Sequence, residues 1–193
     1  GRTLATMSAS GKATFAPLFE PKVQGFRKVP FGDADAIEAV LDDHVAAVLV
    51  EPIQGEAGVV MPPPGYLRRL RELTAARGVL LMFDEVQTGI GRTGKLFAFQ
   101  HEDARPDVLT LGKGLGAGVP LAAMLCDARY ACFQPGDQGG TYSGNALTAA
   151  VGQAVMDAVM APGFLEHVNA MSAKLRGVLE ALIPRGLVST VRG

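Results

Sequence analysis

Two residues of this chain have the types and the setting that covalent amine chemistry requires. Lys113 lies in the glycine-rich stretch 111–118, and Asp84 follows the apolar run 79–83. A lysine amine can form a Schiff base with an aldehyde, and a carboxylate can pair with a protonated pyridine nitrogen. Lys113 and Asp84 therefore predict a site for pyridoxal 5'-phosphate, although a solvated lysine and a turn-capping aspartate are the alternatives for either residue alone.

The residues around this pair extend the predicted site. Glycines on both sides of Lys113 remove side-chain bulk, so we expect a desolvated amine that a flat cofactor can approach. Glu85 adds a second carboxylate directly after Asp84. Val86 would press an apolar face on the cofactor ring, and Gln87 could donate to the ring hydroxyl. All of these residues are predicted to bind the cofactor.

The pattern of apolar runs predicts the elements that position these residues. Short buried strands, covered on both faces, are expected at 45–50, 79–83 and 107–111, with another strand at 120–126. Helices are expected at 36–41, from Pro64 to Gly78, and at 145–160 and 164–182. This order predicts an α/β fold with a mainly parallel sheet flanked by helices. Ligands collect at the carboxyl ends of such strands, where Glu51, Asp84 and Lys113 should meet.

Two glycine-rich segments allow other interpretations. Residues 89–95 match most of a nucleotide phosphate loop, but Leu96 replaces the hydroxyl residue that binds magnesium. No convincing helix follows, so a structured loop beside the site is preferred. Residues 139–145 precede a helix and could seat an oxyanion or a phosphate, while a plain turn with an N-cap fits equally well.

Composition excludes several other classes of protein. The 193 residues are 48% hydrophobic and 19% charged, with a formal net charge of −1, which favours a packed globular interior and argues against a nucleic-acid surface. No apolar run is long enough to span a membrane. Cys126 and Cys132 show no zinc spacing and the three histidines no mutual spacing, so no metal is expected, and a reducing, cytoplasmic location fits. The chain begins without Met, and we expect it to be a piece of a longer polypeptide.

Three motifs together resemble the class III aminotransferases, in the acetylornithine aminotransferase branch. They are Glu-Pro-Ile-Gln-Gly-Glu at 51–56, Phe-Asp-Glu-Val-Gln-Thr-Gly-Ile-Gly-Arg-Thr-Gly at 83–94 and Leu-Gly-Lys-Gly at 111–114. The resemblance implies a homodimeric enzyme with the pyridoxal-phosphate-dependent transferase fold of type I. Residues 1–162 would form most of the large cofactor-binding domain, and residues 163–193 would begin the C-terminal small domain.

The same resemblance implies roles for individual residues. Lys113 would be the covalent lysine and Asp84 the partner of the pyridine nitrogen. Thr141 would reach the phosphate of the neighbouring subunit's cofactor. Arg2 would grip the substrate α-carboxylate, and Glu56 would lie near the substrate amine. Gly140 departs from the pattern, because this branch often has a serine there that touches substrate.

The resemblance implies transfer of the terminal amino group of N-acetylornithine, or a close relative, to 2-oxoglutarate. Semialdehyde and glutamate would be the products, as a step of arginine biosynthesis. Ornithine, succinylornithine and 4-aminobutyrate remain alternative donors, because their enzymes share these motifs. A non-catalytic truncated domain is the alternative from another class, and nucleotide binding at 89–95 is a third.

Overall fold

The computed structural model describes residues 3–15, 17–18 and 20–193. Its centre is a four-stranded sheet whose strands lie side by side in the order in which they occur in the chain. The strands are β1 (Ala47–Val50), β2 (Leu80–Asp84), β3 (Val108–Leu111) and β4 (Ala123–Cys126). The first three are parallel, and β4 runs antiparallel to β3. The prediction of an α/β fold with a mainly parallel sheet is confirmed.

The described residues form five α-helices, which are α1 (Leu4–Ala9), α2 (Ala34–Val40), α3 (Tyr66–Arg77), α4 (Ala146–Met160) and α5 (Phe164–Glu180). Four of them lie where helices were predicted, with ends shifted by a few residues. Single 3₁₀ turns add Ala13–Phe15, Ala98–His101, Lys113–Gly116 and Ala128–Tyr130. The helix α1 and these short turns were not predicted.

Two glycines and one carboxylate define the ends of α3. The helix begins at Tyr66, later than predicted from Pro64, because Gly65 takes a φ of 82° outside the helical region. It ends at Gly78, whose left-handed conformation lets its N–H reach the last carbonyls. The carboxylate of Glu102 accepts hydrogen bonds from the N–H groups of Gly65 (3.0 Å) and Arg68 (3.1 Å), which satisfies donors that the helix itself leaves free.

The core lies between α3 and one face of the sheet. Alternation along β2 buries Leu81 and Phe83 completely, and Leu70 of α3 is buried with them. Burying side chains of this size contributes about 1.5–3 kcal/mol each. The cluster also includes residues of α2, α3 and β3, among them Ile37, Leu67, Leu73, Leu109 and Leu111.

The expectation that the first strand is covered on both faces is wrong within the part of the chain that the structure describes. Val48 and Val50 pack against the core, whereas Leu49 projects from the other face and is 54% exposed. The strand β4 is exposed along its whole length. These two strands form the edges of the described sheet.

The helices α4 and α5 are joined by a sharp break. Asn145 begins α4 by accepting a hydrogen bond from the N–H of Thr148 at 3.0 Å, and Gly163 precedes α5 with a φ of 87°. Among the described residues, no single helix is long and apolar enough to cross a membrane. The two helices reach that length and apolarity only as a pair, bent by 69°.

Candidate active site

The carboxyl ends of β1, β2 and β3 meet at one edge of the sheet. In the parallel pairing Val50 lies opposite Phe83, and Asp84 lies opposite Thr110. The residues that follow the strand ends therefore emerge side by side. This register brings Glu51, Asp84 and the segment starting at Gly112 to the same edge.

Asp84 closes β2 on the face opposite the core. Strand alternation places it away from buried Phe83, and its side chain is half-buried. One carboxylate oxygen accepts a hydrogen bond from the N–H of Val86 at 3.0 Å, which fixes the side chain at the strand end. An aspartate carboxylate has further acceptor positions beyond that bond, so it can still receive a proton donor from a ligand.

Glu51 is a second carboxylate in the same electrostatic environment. Burial, and next the charge of Asp84, raise the pKa of Glu51 above its ordinary value. The N–H of Gly55 and the amine of Lys113 act in the opposite direction. The charges of Asp84 and Lys113 therefore both act on Glu51 at this edge of the sheet.

Lys113 begins the 3₁₀ turn that follows β3. Its φ is 42°, a left-handed conformation that is uncommon for residues other than glycine. The residue is exposed within the described part of the chain, so the expected desolvation of its amine is not observed.

Glycines next to Val86 and Gln87 let three loops approach one another. A Cβ atom added at Gly112 would lie 3.3 Å from Cγ1 of Val86. One added at Gly55 would lie 1.8 Å from the side-chain oxygen of Gln87. The loops after β1, β2 and β3 are thus in contact, and Val86 and Gln87 lie between them.

Glu85 is placed differently from the prediction that it binds the cofactor. Its carboxylate is fully buried and accepts hydrogen bonds from the N–H groups of Ala98 (2.6 Å) and Phe99 (2.9 Å) and from the hydroxyl of Thr88 (3.2 Å). Burial raises the pKa of Glu85, and these donors oppose that effect. Because consecutive strand residues face opposite sides, Glu85 points away from Asp84 and binds the following loop instead.

Glu56 and Arg2 are two of the residues predicted to bind substrate. Glu56 is exposed in the loop after β1, and its carboxylate lies 3.5 Å from Nζ of Lys12. This ion pair brings the N-terminal segment to the rim of the site. Arg2 lies outside the described residues.

Thr141 and Gly140 lie on an exposed loop that leads into α4. The N–H of Ser143 donates to the carbonyl of Gly140 at 3.1 Å, and Asn145 caps the helix. Within the described chain, no hydrogen bond links Thr141 or Gly140 to the Asp84 edge. Residues 139–145 therefore form a turn with an N-cap, and the seat for an oxyanion or phosphate stays a prediction.

The segment 89–95 forms turns rather than the start of a helix. The N–H of Gly91 donates to the carbonyl of Leu96 at 3.1 Å, and the next helical element is the short 3₁₀ turn Ala98–His101. Asn169 of α5 donates to the carbonyl of Gly94 at 3.1 Å. A phosphate loop needs a helix N-terminus directly after its glycines, so the structured-loop interpretation fits and the nucleotide one does not.

Glu51 was not predicted to have a chemical role, although its position directly after β1 indicates one. Ile90, which is buried and has a φ of 55°, was not predicted to belong to the site either. A β-branched residue in that conformation has no sequence signature apart from the glycines that flank it.

The residues present fit a pyridoxal phosphate group. Asp84 supplies a half-buried carboxylate for a ring nitrogen, Lys113 supplies an accessible primary amine on the neighbouring strand end, and Gly112 and Gly55 carry no side chain where their loops meet Val86 and Gln87.

Comparison with known families decides between the possible classes. The family model described as "Aminotransferase class-III" matches residues 1–193 of this chain. The chain belongs to the class III aminotransferases.

Individual class III aminotransferases support this assignment. The chain is 50% identical over 188 residues to acetylornithine aminotransferase 2 of Bordetella parapertussis, covering 97% of this chain and 48% of that protein. The ornithine aminotransferase of Toxoplasma gondii superposes with a TM-score of 0.95 at 38% identity, over 100% of this chain and 47% of that one. A second structure of that enzyme, described as having partial occupancy of PLP at its active site, gives 0.89 at 39% identity, over 99% and 45%. The chain spans about half the length of the relatives it matches.

Proposed function

We propose that this chain carries the pyridoxal phosphate site of an enzyme that transfers the terminal amino group of N-acetylornithine, or of a close ω-amino donor, to 2-oxoglutarate. The products are the semialdehyde and glutamate, in a step of arginine biosynthesis. The observation that carries the proposal is the meeting of Asp84 and Lys113 at neighbouring strand ends, with Glu51 beside them.

Four residues at this edge have a part in the proposed reaction. Bound pyridoxal phosphate supplies the electron sink for negative charge at the donor carbon. Asp84 keeps the ring nitrogen protonated through a charge-assisted hydrogen bond. Lys113 would hold the cofactor and would move the proton at the carbon that bears the reacting amine. Val86 and Gln87 would lie against the ring and its hydroxyl.

The choice of donor depends on residues at the rim. Glu56 and Arg2 would meet the donor's amine and carboxylate, and Gly140 would leave space where a serine side chain touches substrate in related enzymes. The similarity to acetylornithine aminotransferase of Bordetella parapertussis supports N-acetylornithine. The superposition on ornithine aminotransferase favours ornithine as the second candidate donor.

The proposal includes the surroundings of the site. The enzyme would be a homodimer, in which exposed Thr141 reaches the phosphate of the neighbouring subunit's cofactor. Residues 1–162 would belong to the large domain and residues 163–193 would begin the small one, with the break at Gly163 between them. Two free, exposed cysteines, Cys126 and Cys132, are compatible with a reducing, cytoplasmic location.

A donor screen tests the proposal. The protein is incubated with pyridoxal phosphate, 2-oxoglutarate and, in turn, N-acetylornithine, succinylornithine, ornithine or 4-aminobutyrate, and glutamate formation is measured. We expect N-acetylornithine to give the highest kcat/KM. Lys113→Ala should abolish turnover, whereas Lys95→Ala, which removes another exposed lysine, should leave it unchanged. Cofactor that stays bound through gel filtration without turnover of any donor would support the non-catalytic alternative.

A further inference from the structure

The backbone around Lys113 is held from two sides by one turn of the chain, residues 86–90. A Cβ atom at Gly112 would lie 3.3 Å from Cγ1 of Val86, and one at Gly114 would lie 3.4 Å from Cβ of Ile90. Gly112 and Gly114 are the chain neighbours of Lys113. The two branched side chains therefore contact the backbone immediately before and immediately after the lysine, and leave it little room to move.

Both Lys113 and Ile90 have left-handed backbones, with φ values of 42° and 55°. For a β-branched residue such as Ile90 this conformation is a true outlier. Strain of this kind costs about 1–3 kcal/mol per residue and persists only where the surrounding structure enforces it. Other contacts must therefore fix the turn that carries Ile90.

Glu85 provides those contacts at the start of the turn. Its buried carboxylate binds the N–H groups of Ala98 and Phe99 at 2.6 and 2.9 Å, and its own carbonyl accepts the N–H of Gly89 at 2.9 Å. No cation of the described chain forms an ion pair with Glu85, so hydrogen-bond donors alone balance this carboxyl. The side chain therefore acts as a fixed anchor between the turn and the residues that follow it.

Gly89 packs closely between the start of this turn and the end of β3. A Cβ atom there would lie 2.8 Å from the carbonyl oxygen of Glu85 and 3.1 Å from Cδ2 of Leu111. Leu111 is the last residue of β3 and directly precedes Gly112. The close approach thus ties the position of Ile90 to the strand end that carries Lys113.

From these contacts we propose that Glu85 and Ile90 are positioning residues for Lys113. Glu85 fixes the 86–90 turn, and Ile90, together with Val86, holds the lysine backbone in its left-handed conformation. The inference rests on the role of Lys113 in the proposed function. The packing it describes can, however, be measured without any cofactor.

Backbone hydrogen exchange of the cofactor-free protein tests the packing. The N–H groups of Leu115 and Ala117 donate to the carbonyls of Gly112 and Gly114, so they report opening of the lysine turn. Ile90→Ala keeps Cβ but removes Cγ1 and Cγ2, which would lie 3.9 and 3.8 Å from a Cβ atom at Gly114. It should speed exchange of these amides by about tenfold, as expected when a local opening becomes easier. Ile90→Val keeps a branched Cβ and should exchange as the unaltered protein does.

Two further variants separate local positioning from general stability. Glu85→Gln keeps the shape but replaces one of the two accepting oxygens with an NH2 donor that faces a backbone N–H, so exchange should rise at residues 98–99 and also at 113–117. Asp107→Asn alters a buried carboxylate at the other edge of the sheet and should lower global stability without speeding exchange of the lysine turn. Unchanged exchange at 113–117 in both Ile90→Ala and Glu85→Gln would overturn the inference.

Reaction with pyridoxal phosphate then distinguishes this inference from the proposed function. After borohydride treatment, labelling of Lys113 should be slower in Ile90→Ala and Glu85→Gln than in Ile90→Val at equal folded fraction. If the unaltered protein is not labelled at Lys113, the proposed function fails while the exchange result still decides the packing. If labelling is equally fast in all variants, the positioning role is wrong although the site is correct.

Discussion

Asp84 lies opposite Thr110 in the parallel pairing of β2 and β3, and Thr110 is only three residues before Lys113. This register brings a carboxylate and an amine from distant parts of the sequence to one edge of the sheet. Parallel pairing places all strand ends of one polarity on the same side, so the loops after β1, β2 and β3 come together there.

Removing the negative charge of Asp84 should lower kcat while the cofactor stays bound. Asp84→Asn keeps the size of the side chain but replaces a charge-assisted bond to the ring nitrogen with a neutral one. Losing about 1.5–3 kcal/mol of interaction corresponds to a roughly 10- to 150-fold lower kcat, with cofactor still bound. Steady-state kinetics and cofactor absorbance measure both quantities. Asp103→Asn, at an exposed position on the segment before β3, is the control, and near-normal turnover of Asp84→Asn would show that the ring nitrogen pairs elsewhere.

Gly55 should affect cofactor affinity indirectly, because it leaves room for the side chain of Gln87. An added Cβ would lie 1.8 Å from the oxygen of Gln87, so Gly55→Ala must push that flexible side chain aside. We expect Gly55→Ala and Gln87→Ala to weaken cofactor affinity equally, by roughly 2- to 10-fold for a lost neutral hydrogen bond. The double variant should be no weaker than either single one. Additive losses, measured by cofactor titration, would mean that the two residues act separately.

Glu51 should destabilise the protein at neutral pH. Its pKa is raised by burial and by the charge of Asp84, so the folded state retains the proton to a higher pH than the unfolded state does. Stability from the neutral form is complete below the unfolded value of 4.5 and is lost as the pH rises through the folded value. Glu51→Gln should therefore raise the free energy of unfolding at pH 7 but not at pH 4. Urea denaturation at both pH values measures this, and equal effects would contradict it.

Asp107 should stabilise the protein above the acid range. It accepts hydrogen bonds from the N–H of Leu81 at 2.8 Å and from Arg71 at 2.9 Å, and lies 3.2 Å from Arg129. Burial opposes ionisation, but these partners prevail and hold the pKa of Asp107 below 3.8. Its contribution is present above pH 3.8 and is lost as the pH falls through the folded value.

Asp107→Asn should therefore lower the free energy of unfolding at pH 7 by about 1.5–3 kcal/mol, as for a hydrogen bond to a charged group. The loss should shrink as the pH falls below 3.8. Asp42→Asn removes an exposed carboxylate, 2.7 Å from Arg27, and should have a much smaller effect in the same urea titrations. A loss from Asp107→Asn that does not depend on pH would show that packing rather than charge is responsible.

The sequence predicts the parts of this molecule that depend on local pattern. Apolar runs marked β2 and β3, and Gly78 marked the end of α3, because strand burial and left-handed helix ends have direct sequence signals. The direction of Glu85 did not follow from the sequence, because its partners Ala98 and Phe99 lie farther along the chain. The exposure of Leu49 and of Lys113 likewise depends on which segments pack against them.

Identification of the lysine that binds cofactor tests the central claim most directly. The protein is mixed with pyridoxal phosphate, its visible absorbance is recorded, borohydride is added, and the labelled peptide is sequenced. We predict one pyridoxyl group, on Lys113, and none in Lys113→Ala. Labelling of Lys95 or another lysine in place of Lys113, or no labelling at all, would contradict the assignment of this edge of the sheet as the active site.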